Sequence, residues 1–278
     1  MRDKVRGLVS IIVPVYRARA YIAETIKMVL AQTYKKWELL LVDDCSDDGS
    51  RTEIERALSS YECKPSDDIA APNVESIVEY RCGGERTIRL ICKNRNEGAA
   101  KARNTGLALA EGQYIAFLDA DDVWVCDKLT RQLAFMEKRK AGFVFSAYEF
   151  GDETARPTGK VVHVPDTLTY GKALSRTVIF TTTVVLDREL VPDELIQMPQ
   201  VESEDTATWW QILRAGYTAC GLDEVLAIYR RPSKSLSSNK LTAVKRIWNL
   251  YRRQEELSVL SSVYYFVFWA YRATMRRI

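Results

Sequence analysis

The 278-residue chain contains a single histidine, His163. One imidazole disfavours a histidine-based zinc site or a catalytic triad. The six cysteines show no metal-ligand spacing, and a chain of this size does not depend on disulfides, so we expect reduced thiols. The net charge of +3 is small for the length, and residues 1–240 contain no basic stripe with interleaved aromatic residues. We therefore expect no nucleic-acid partner.

Long apolar runs are also missing. None approaches the roughly 18 residues that a transmembrane helix requires. The basic N-terminus, MRDKVRG, leads into an apolar stretch that Pro14 interrupts, which is not the pattern of a signal peptide. These absences predict a cytoplasmic protein. The composition, 47% hydrophobic and 28% charged, suffices for a full core in one large α/β domain or two smaller ones.

The most informative stretch is IAFLDADDVW, residues 115–124, where an apolar run ends in Asp119, Asp121 and Asp122. A short apolar run of this kind is typical of a buried strand, and open α/β sheets bind ligands at the carboxyl ends of such strands. Crowded carboxylates repel one another unless a cation, a proton or hydrogen bonds compensate. An acidic loop that caps a helix beginning near Asp127 is the alternative interpretation.

Similar strand, loop and helix units precede this stretch. The second strand ends in Asp43 and Asp44, and the successive units predict a parallel sheet because such crossovers join parallel strands. Residues 59–86 mix prolines, acids and a Gly-Gly pair, which indicates an irregular insert. The strands are expected at residues 8–13, 38–42, 87–92, 115–118, 142–150, 181–186 and 225–229.

The final segment, residues 241–278, has a different character, because aromatic and aliphatic residues lie between Arg252 and Arg253 on one side and Arg272, Arg276 and Arg277 on the other. This pattern predicts a helix that lies on a membrane surface, with its cations beside anionic headgroups. The alternative is a helix packed on the rest of the chain or on a second copy in a homodimer.

Five motifs together carry a resemblance to a known family. In chain order they are SIIVPVY (10–16), VDDCSDDGS (42–50), NEGAAKARNTGL (96–107), FLDADDVW (117–124) and SEDTATWW (203–210). They resemble the inverting family 2 glycosyltransferases of the GT-A fold. The resemblance implies an α/β fold, Rossmann-like, with a mostly parallel sheet flanked by helices. It places a catalytic domain at residues 1–240, with a nucleotide-binding half at about 1–125 and an acceptor-binding half at about 126–240, before a C-terminal helical extension at 241–278.

For the nucleotide, Asp44 could accept the imide N–H of a uracil or thymine ring, a role that the resemblance supports. Asp43 is expected to brace the loop, and for both residues turn-forming hydrogen bonds are the alternative. The resemblance also places Arg103 and Asn104 facing the nucleotide, although both could lie on an exposed helix face. The floor of the site would be formed by Pro14, Val15 and Tyr16.

For the diphosphate, the resemblance implies that Asp121 coordinates a divalent cation and that Asp119 holds the ribose or a metal-bound water. The Asp-x-Asp spacing puts both side chains on one side of an extended segment. Oxygen ligands without His or Cys favour Mg²⁺ or Mn²⁺. Asp122 is expected to serve the loop.

For the acceptor, the resemblance implies that Asp205 is the general base and that Glu204 orients the donor sugar. Without it, a carboxylate at a helix start is usually a cap. Thr181 to Thr183 could border the donor sugar or form a sheet edge. The segment after the last strand resembles a family loop that closes over the donor, with Arg230 and Ser235 as donor-binding residues; a solvated basic linker is the alternative.

Together these features predict an enzyme that transfers a sugar, with inversion, from a nucleotide-sugar to a hydroxyl of a glycan or lipid-linked acceptor in cell-surface polysaccharide biosynthesis. A UDP-sugar is the favoured donor, and the enzyme is expected on the inner face of the plasma membrane as a peripheral protein. Two other functions remain. A haloacid-dehalogenase-type phosphatase also uses a strand ending in Asp-x-Asp, and a non-enzymatic membrane adaptor would explain the C-terminal segment.

Overall fold

The computed structural model describes residues 4–66, 71–231 and 240–275. The strands are β1 Val5–Val15, β2 Trp37–Asp43, β3 Glu62–Pro65, β4 Val74–Arg81, β5 Thr87–Lys93, β6 Gly112–Phe117, β7 Val123–Trp124, β8 Phe143–Gly151, β9 Pro157–Val162, β10 Thr167–Leu168, β11 Val185–Asp187 and β12 Ala219–Arg230. The helices are α1 Ile22–Leu30, α2 Ser50–Ala57, α3 Ala99–Leu109, α4 Lys128–Arg139, α5 Tyr170–Leu174, α6 Asp193–Ile196, α7 Glu204–Arg214, α8 Lys240–Asn249 and α9 Val259–Met275.

These strands form one sheet, in the order β10-β12-β8-β11-β6-β1-β2-β5-β4-β3, with β7 paired to β12 and β9 to β8. Its centre is parallel: β1 lies between β2 and β6, and β5 follows β2. Every residue of β2 is buried, as expected for a strand covered on both faces by helices. The predicted α/β fold with a helix-flanked sheet is confirmed, and the predicted parallel strands form its centre, whereas β3, β4, β7, β9, β10 and β11 join the sheet antiparallel.

Helix α3 lies close against β1 because of a glycine. A Cβ atom at Gly106 would stand 2.6 Å from Cγ2 of Ile12, a distance that real Cβ atoms do not show. The absence of a side chain therefore lets α3 approach the sheet. This contact places the first turns of α3 beside the carboxyl ends of β1 and β2.

The segment 59–86 is more regular than its composition predicts. Strands β3 and β4 form an antiparallel pair, and β4 adds antiparallel to β5 at the edge of the sheet. Every residue of β3 is exposed, so the hairpin has no alternating apolar pattern to reveal it. The insert extends the sheet at its edge, away from β6.

The segment 181–186 also differs from the expected strand. Thr181–Thr183 form a 3-10 turn, and the strand β11 begins only at Val185. Strand β11 lies antiparallel between β6 and β8. The β-branched threonines favour a strand by composition, but the chain turns here toward the carboxyl end of β6.

The C-terminal segment packs on the domain through one side. After α8, a π-helical turn, Leu250–Gln254, brings Tyr251 into a parallel stack with Trp210 of α7, with ring centroids 5.3 Å apart. Farther along, Nε1 of Trp269 in α9 donates to Thr177 Oγ1 at 3.0 Å. No helix in the described part of the chain is long and apolar enough to cross a membrane.

Candidate active site

A cavity of about 580 Å³ opens at the carboxyl ends of β1, β2 and β6. This is the edge at which open α/β sheets bind ligands. Residues from the three strand ends and from the start of α3 line it. Among the residues predicted from the sequence, the lining includes Pro14, Val15, Tyr16, Asp44, Arg103, Asp119 and Asp121.

Asp44 is held in place by three donors. Nζ of Lys93 donates to Oδ1 at 2.6 Å, and the backbone N–H groups of Glu97 and Gly98 donate at distances down to 2.7 Å. Lys93 and Asp44 are both almost fully buried, so this ion pair stands in a poorly solvated environment. The contacts fix the direction of the Asp44 carboxylate at the cavity wall.

Asp43 has a different environment. Its Oδ1 accepts a hydrogen bond from the backbone N–H of Ser46 at 3.3 Å, within the loop after β2. Burial raises the pKa of Asp43 above its ordinary value. The contact braces the loop, and Asp43 is not among the residues that line the cavity.

The three acids of the Asp-rich loop have separate surroundings. Asp119 and Asp121 line the cavity, and burial together with the nearby Asp119 carboxylate raises the pKa of Asp121. Asp122 is buried beneath them and accepts a hydrogen bond from Thr182 Oγ1 at 2.5 Å. Burial, with the charges of the other two acids, raises the pKa of Asp122 well above its ordinary value. The loop thus places Asp119 and Asp121 at the cavity and keeps Asp122 buried.

The chemistry of this loop fits a hard divalent cation. Asp121 carries the repulsion of Asp119, and a cation bound between the two carboxylates would relieve it. Among the described residues, no group of three or more His, Cys, Asp or Glu side chains forms a ready metal site. Mg²⁺ is commonly held by one or two carboxylates together with substrate phosphates, a mode that this pair of acids permits.

Arg103 links the Asp-rich loop to the start of α7. Its Nη2 donates to Asp119 at 2.5 Å and its Nη1 to Glu204 at 2.8 Å, although Glu204 lies at the start of α7, 101 residues further along the chain. Burial opposes the charge of Arg103, but these carboxylates raise its pKa overall. Burial, reinforced by the adjacent Asp205, raises the pKa of Glu204 despite the arginine.

Asn104 does not face the cavity. Its side-chain amide exchanges two hydrogen bonds of 2.8 Å with the backbone of Met198, in the loop before α7. It therefore ties α3 to that loop, which helps to place the start of α7.

Asp205 follows Glu204 in the first turn of α7, after Ser203 in a left-handed conformation with φ of 61°. Its Oδ2 accepts a hydrogen bond from Thr181 Oγ1 at 3.0 Å, and its Oδ1 one from the backbone N–H of Thr206 at 2.6 Å. Glu204 and Asp205 are not among the residues that line the cavity. Glu204 contacts Arg103, which does line it, and Asp205 contacts Thr181 of the 3-10 turn.

Arg230 has different contacts from those expected. Its Nε donates to the backbone carbonyl of Asp121 at 2.7 Å, and its Nη2 pairs with Glu24 at 2.7 Å. The guanidinium also lies over the ring of Tyr21, 4.8 Å from the centroid. Arg230 thus supports the backbone of the Asp-rich loop and is not among the residues that line the cavity. The predicted Ser235 lies outside the described residues.

Sequence reasoning missed several residues of the site. Arg17, Tyr21 and Asn96 line the cavity, and Lys93 pairs with Asp44. Asn96 lies within a motif already noted, so the signal for it was present. Lys93 ends a buried strand as a charged residue, which is a local signal for an internal partner.

A comparison with family models matches residues 10–185 to Glycosyl transferase family 2. The chain belongs to this family. The matched part contains Asp44, Arg103, Asp119 and Asp121, whereas the start of α7 lies beyond it. Membership confirms the resemblance that the five motifs carry.

Two curated relatives cover most of the chain. TuaG of Bacillus subtilis, whose name assigns it to teichuronic acid biosynthesis, is 40% identical over 274 residues, which are 98% of each chain. WfgD of Escherichia coli is 36% identical over 246 residues, 87% of this chain and 85% of its own. WfgD is named a UDP-Glc:alpha-D-GlcNAc-diphosphoundecaprenol beta-1,3-glucosyltransferase. This family 2 glycosyltransferase is thus related to enzymes of polysaccharide and lipid-linked glycan synthesis.

Solved structures support the GT-A fold. The mannosyltransferase PcManGT of Pyrobaculum calidifontis, in complex with GDP-Man and Mn²⁺, has a TM-score of 0.67 at 22% identity, covering 93% of this chain and 67% of that one. TarS of S. aureus, in complex with UDP-GlcNAc, has a TM-score of 0.65 at 17% identity, covering 95% and 72%. At these identities the likeness concerns the fold alone.

Proposed function

We propose that this family 2 glycosyltransferase transfers a sugar from a UDP-sugar to a hydroxyl of a glycan or lipid-linked acceptor in cell-surface polysaccharide synthesis, with inversion at the anomeric carbon. The observation that carries the proposal is the cavity at the sheet edge, where Asp44, Arg103, Asp119 and Asp121 come together. Two separate strand ends and one helix supply these side chains. Such an arrangement suits a ligand with a base at one end and a diphosphate at the other.

Asp44 would recognise the nucleobase. A carboxylate offers about four acceptor positions, and Lys93, Glu97 and Gly98 provide three donors. The remaining capacity can accept the imide N–H of uracil. Because the three donors fix its orientation, Asp44 is prepared for this contact before the ligand arrives.

Asp121 would hold Mg²⁺ or Mn²⁺ against the diphosphate, and Asp119 would hold the ribose or a water bound to that cation. The bound cation would offset the negative charge that develops on the departing diphosphate. Arg103 keeps Asp119 in position through their ion pair. The Asp121 carboxylate and the diphosphate oxygens are mutually compatible ligands for these hard cations.

Asp205 would act as the general base. It accepts the proton of the acceptor hydroxyl while the hydroxyl oxygen attacks the anomeric carbon from the side opposite the leaving diphosphate. One base and one displacement give inversion. Glu204, held by Arg103, would orient the donor sugar from the neighbouring position of α7.

A panel of UDP-sugars, each with Mn²⁺ and a lipid-linked acceptor, tests the proposal. We expect release of UDP with one donor and loss of release in Asp121→Ala. The matched control is Asp127→Ala, which alters a half-exposed acid near the same loop that pairs with Arg131 and is not among the residues that line the cavity. Phosphate release from phosphomonoesters in place of UDP release, or an anomerically retained product, would contradict the proposal.

The surface of α9 supports peripheral association with the inner face of the plasma membrane. Its exposed side carries large apolar residues three and four positions apart, and Leu260 is 84% and Tyr271 64% exposed. Residues at this spacing share one helix face. Tyrosine side chains suit the headgroup region of a membrane. The stripe comprises Leu260, Val263, Tyr264, Val267, Phe268 and Tyr271.

Flotation with anionic phospholipid vesicles tests this association. We expect the wild type to float and a Leu260→Glu, Tyr264→Glu double variant to remain in solution. Leu190→Glu is the control, because Leu190 is an exposed apolar residue outside α9. If the double variant instead converted a dimer to a monomer while vesicle binding was unchanged, the stripe would pair two copies and the membrane proposal would be wrong.

A further inference from the structure

Two consecutive hydroxyl groups of one short turn contact two different acids of the site. In the turn Thr181–Thr183, Oγ1 of Thr181 donates to Asp205, and Oγ1 of Thr182 donates to Asp122. The Thr182 hydroxyl also accepts the backbone N–H of Asp119 at 3.3 Å. The turn therefore links the start of α7 with the Asp-rich loop after β6.

The turn is itself anchored to the interior. Nε1 of Trp124 donates to the carbonyl of Thr182, and Nε2 of Gln132 donates to the carbonyl of Thr183, both at 2.8 Å. The three threonines are at most 2% exposed. A buried turn with its carbonyls bonded to the scaffold can hold its hydroxyl groups in fixed positions.

We infer that Thr181 is a positioning residue for the base Asp205, and that Thr182 positions the Asp-rich loop for the donor. The inference rests on the proposed function, and it assigns the relative placement of base and donor to this one turn. Because both hydroxyls belong to adjacent residues, a displacement of one acid relative to the other would require the turn to deform.

The role of Thr181 concerns the transfer step. In that step the O–H bond of the acceptor breaks and its proton passes to Asp205. The acceptor oxygen forms a bond to the anomeric carbon as the bond from that carbon to the diphosphate breaks, and the electron pair leaves with the diphosphate. Thr181 neither gains nor loses a proton; its hydrogen bond fixes the rotation of the Asp205 carboxylate, which orients the accepting oxygen.

Three isosteric variants of the turn separate positioning from packing. Thr181→Val should lower kcat about 10-fold and leave the KM for the donor within about 2-fold, since a hydrogen bond to a charged group is lost only on the base side. Thr182→Val should instead raise the KM for the donor and the Mn²⁺ concentration needed for half-maximal rate. Thr183→Val is the matched control, because its hydroxyl donates to the carbonyl of Phe180 and to neither acid.

Thr181→Ser keeps the hydroxyl and should restore most of kcat. Equal losses in Thr181→Val and Thr183→Val, or a kcat for Thr181→Val within about 2-fold of wild type, would overturn the inference. If Thr181→Val does not fold, Thr181→Ala is measured in its place against the same two criteria. Full activity in Asp205→Asn would overturn the proposed base itself, whereas an inactive Asp205→Asn beside a fully active Thr181→Val would refute only the role of Thr181.

Discussion

Replacing Arg103 with methionine removes the cation that links Asp119 of the Asp-rich loop to Glu204 of α7. Arg103 is 6% exposed, and its guanidinium pairs with Asp119 at 2.5 Å and Glu204 at 2.8 Å. Methionine is apolar and flexible enough to fill much of the space. The two carboxylates, whose side chains are 27% and 21% exposed, would then face each other without a partner.

Arg103→Met should lower the free energy of unfolding substantially. Removing one partner of a buried ion pair typically costs about 3–5 kcal/mol, because the remaining charge is left uncompensated. Both carboxylates retain some contact with water, so we expect the low end, about 3 kcal/mol of unfolding free energy. At about 2–4 °C for each kcal/mol, the melting temperature should fall by about 6–12 °C.

The loss of stability in Arg103→Met should also depend on pH. Burial raises the pKa of Glu204, and the positive charge of Arg103 opposes that rise. In Arg103→Met, the pKa of Glu204 should therefore lie still higher. A carboxyl with a raised pKa binds its proton more tightly in the folded protein than in the unfolded chain, which favours folding as the pH falls. The difference in stability between variant and wild type should therefore be greatest at neutral pH and narrow as the pH falls through the raised pKa toward the ordinary value of 4.5.

Denaturant unfolding of both proteins at pH 7.5 and near pH 5 measures the effect. Arg56→Met is the control, since Arg56 pairs with Glu53 on the surface and such pairs contribute at most about 1 kcal/mol. A loss of stability for Arg103→Met below about 1 kcal/mol, or one that does not change with pH, would mean that the two carboxylates do not depend on Arg103.

Three further outcomes follow from the structure. Gly106→Ala should destabilise the protein by about 1–3 kcal/mol in denaturant unfolding, because its Cβ would meet Ile12; an unchanged midpoint would contradict the close contact. Mn²⁺ affinity in the presence of UDP, measured by calorimetry, should weaken as the pH falls, since the raised pKa of Asp121 lets protons compete; constant affinity would argue against this ligand. Lys128→Met should lower stability by about 1–3 kcal/mol, because the buried Oε1 of Gln132 loses the donor Nζ and Trp124 loses the ammonium that lies 4.0 Å from its ring centroid; an unchanged midpoint would contradict this.

The parts of the fold that sequence predicts are those with a local signal. Strands β2 and β6 are short apolar runs that end in acids, so their burial and the position of Asp44, Asp119 and Asp121 follow from a few adjacent residues. The hairpin β3–β4 lacks this signal because β3 is exposed along its whole length. In Thr181–Thr183, β-branched composition indicates a strand, but contacts with distant residues determine the turn.

The connections within the site could not be predicted in the same way. Arg103 meets Glu204 across 101 residues, and Thr182 meets Asp122 across 60. Such pairs depend on how distant strands and helices pack together, and no local sequence pattern indicates that packing. The family resemblance supplied candidate roles, yet it did not indicate that Asn104 bonds to Met198 or that Arg230 donates to the backbone carbonyl of Asp121.

Steady-state transfer by Asp205→Asn shows whether Asp205 is the general base. Asparagine keeps the size of the side chain and can accept no proton at neutral pH. With the donor identified by the UDP-sugar panel, kcat should fall by about 10²–10⁴-fold, while donor binding measured by thermal shift in the presence of Mn²⁺ stays unchanged. A kcat for Asp205→Asn close to that of the wild type would contradict the account.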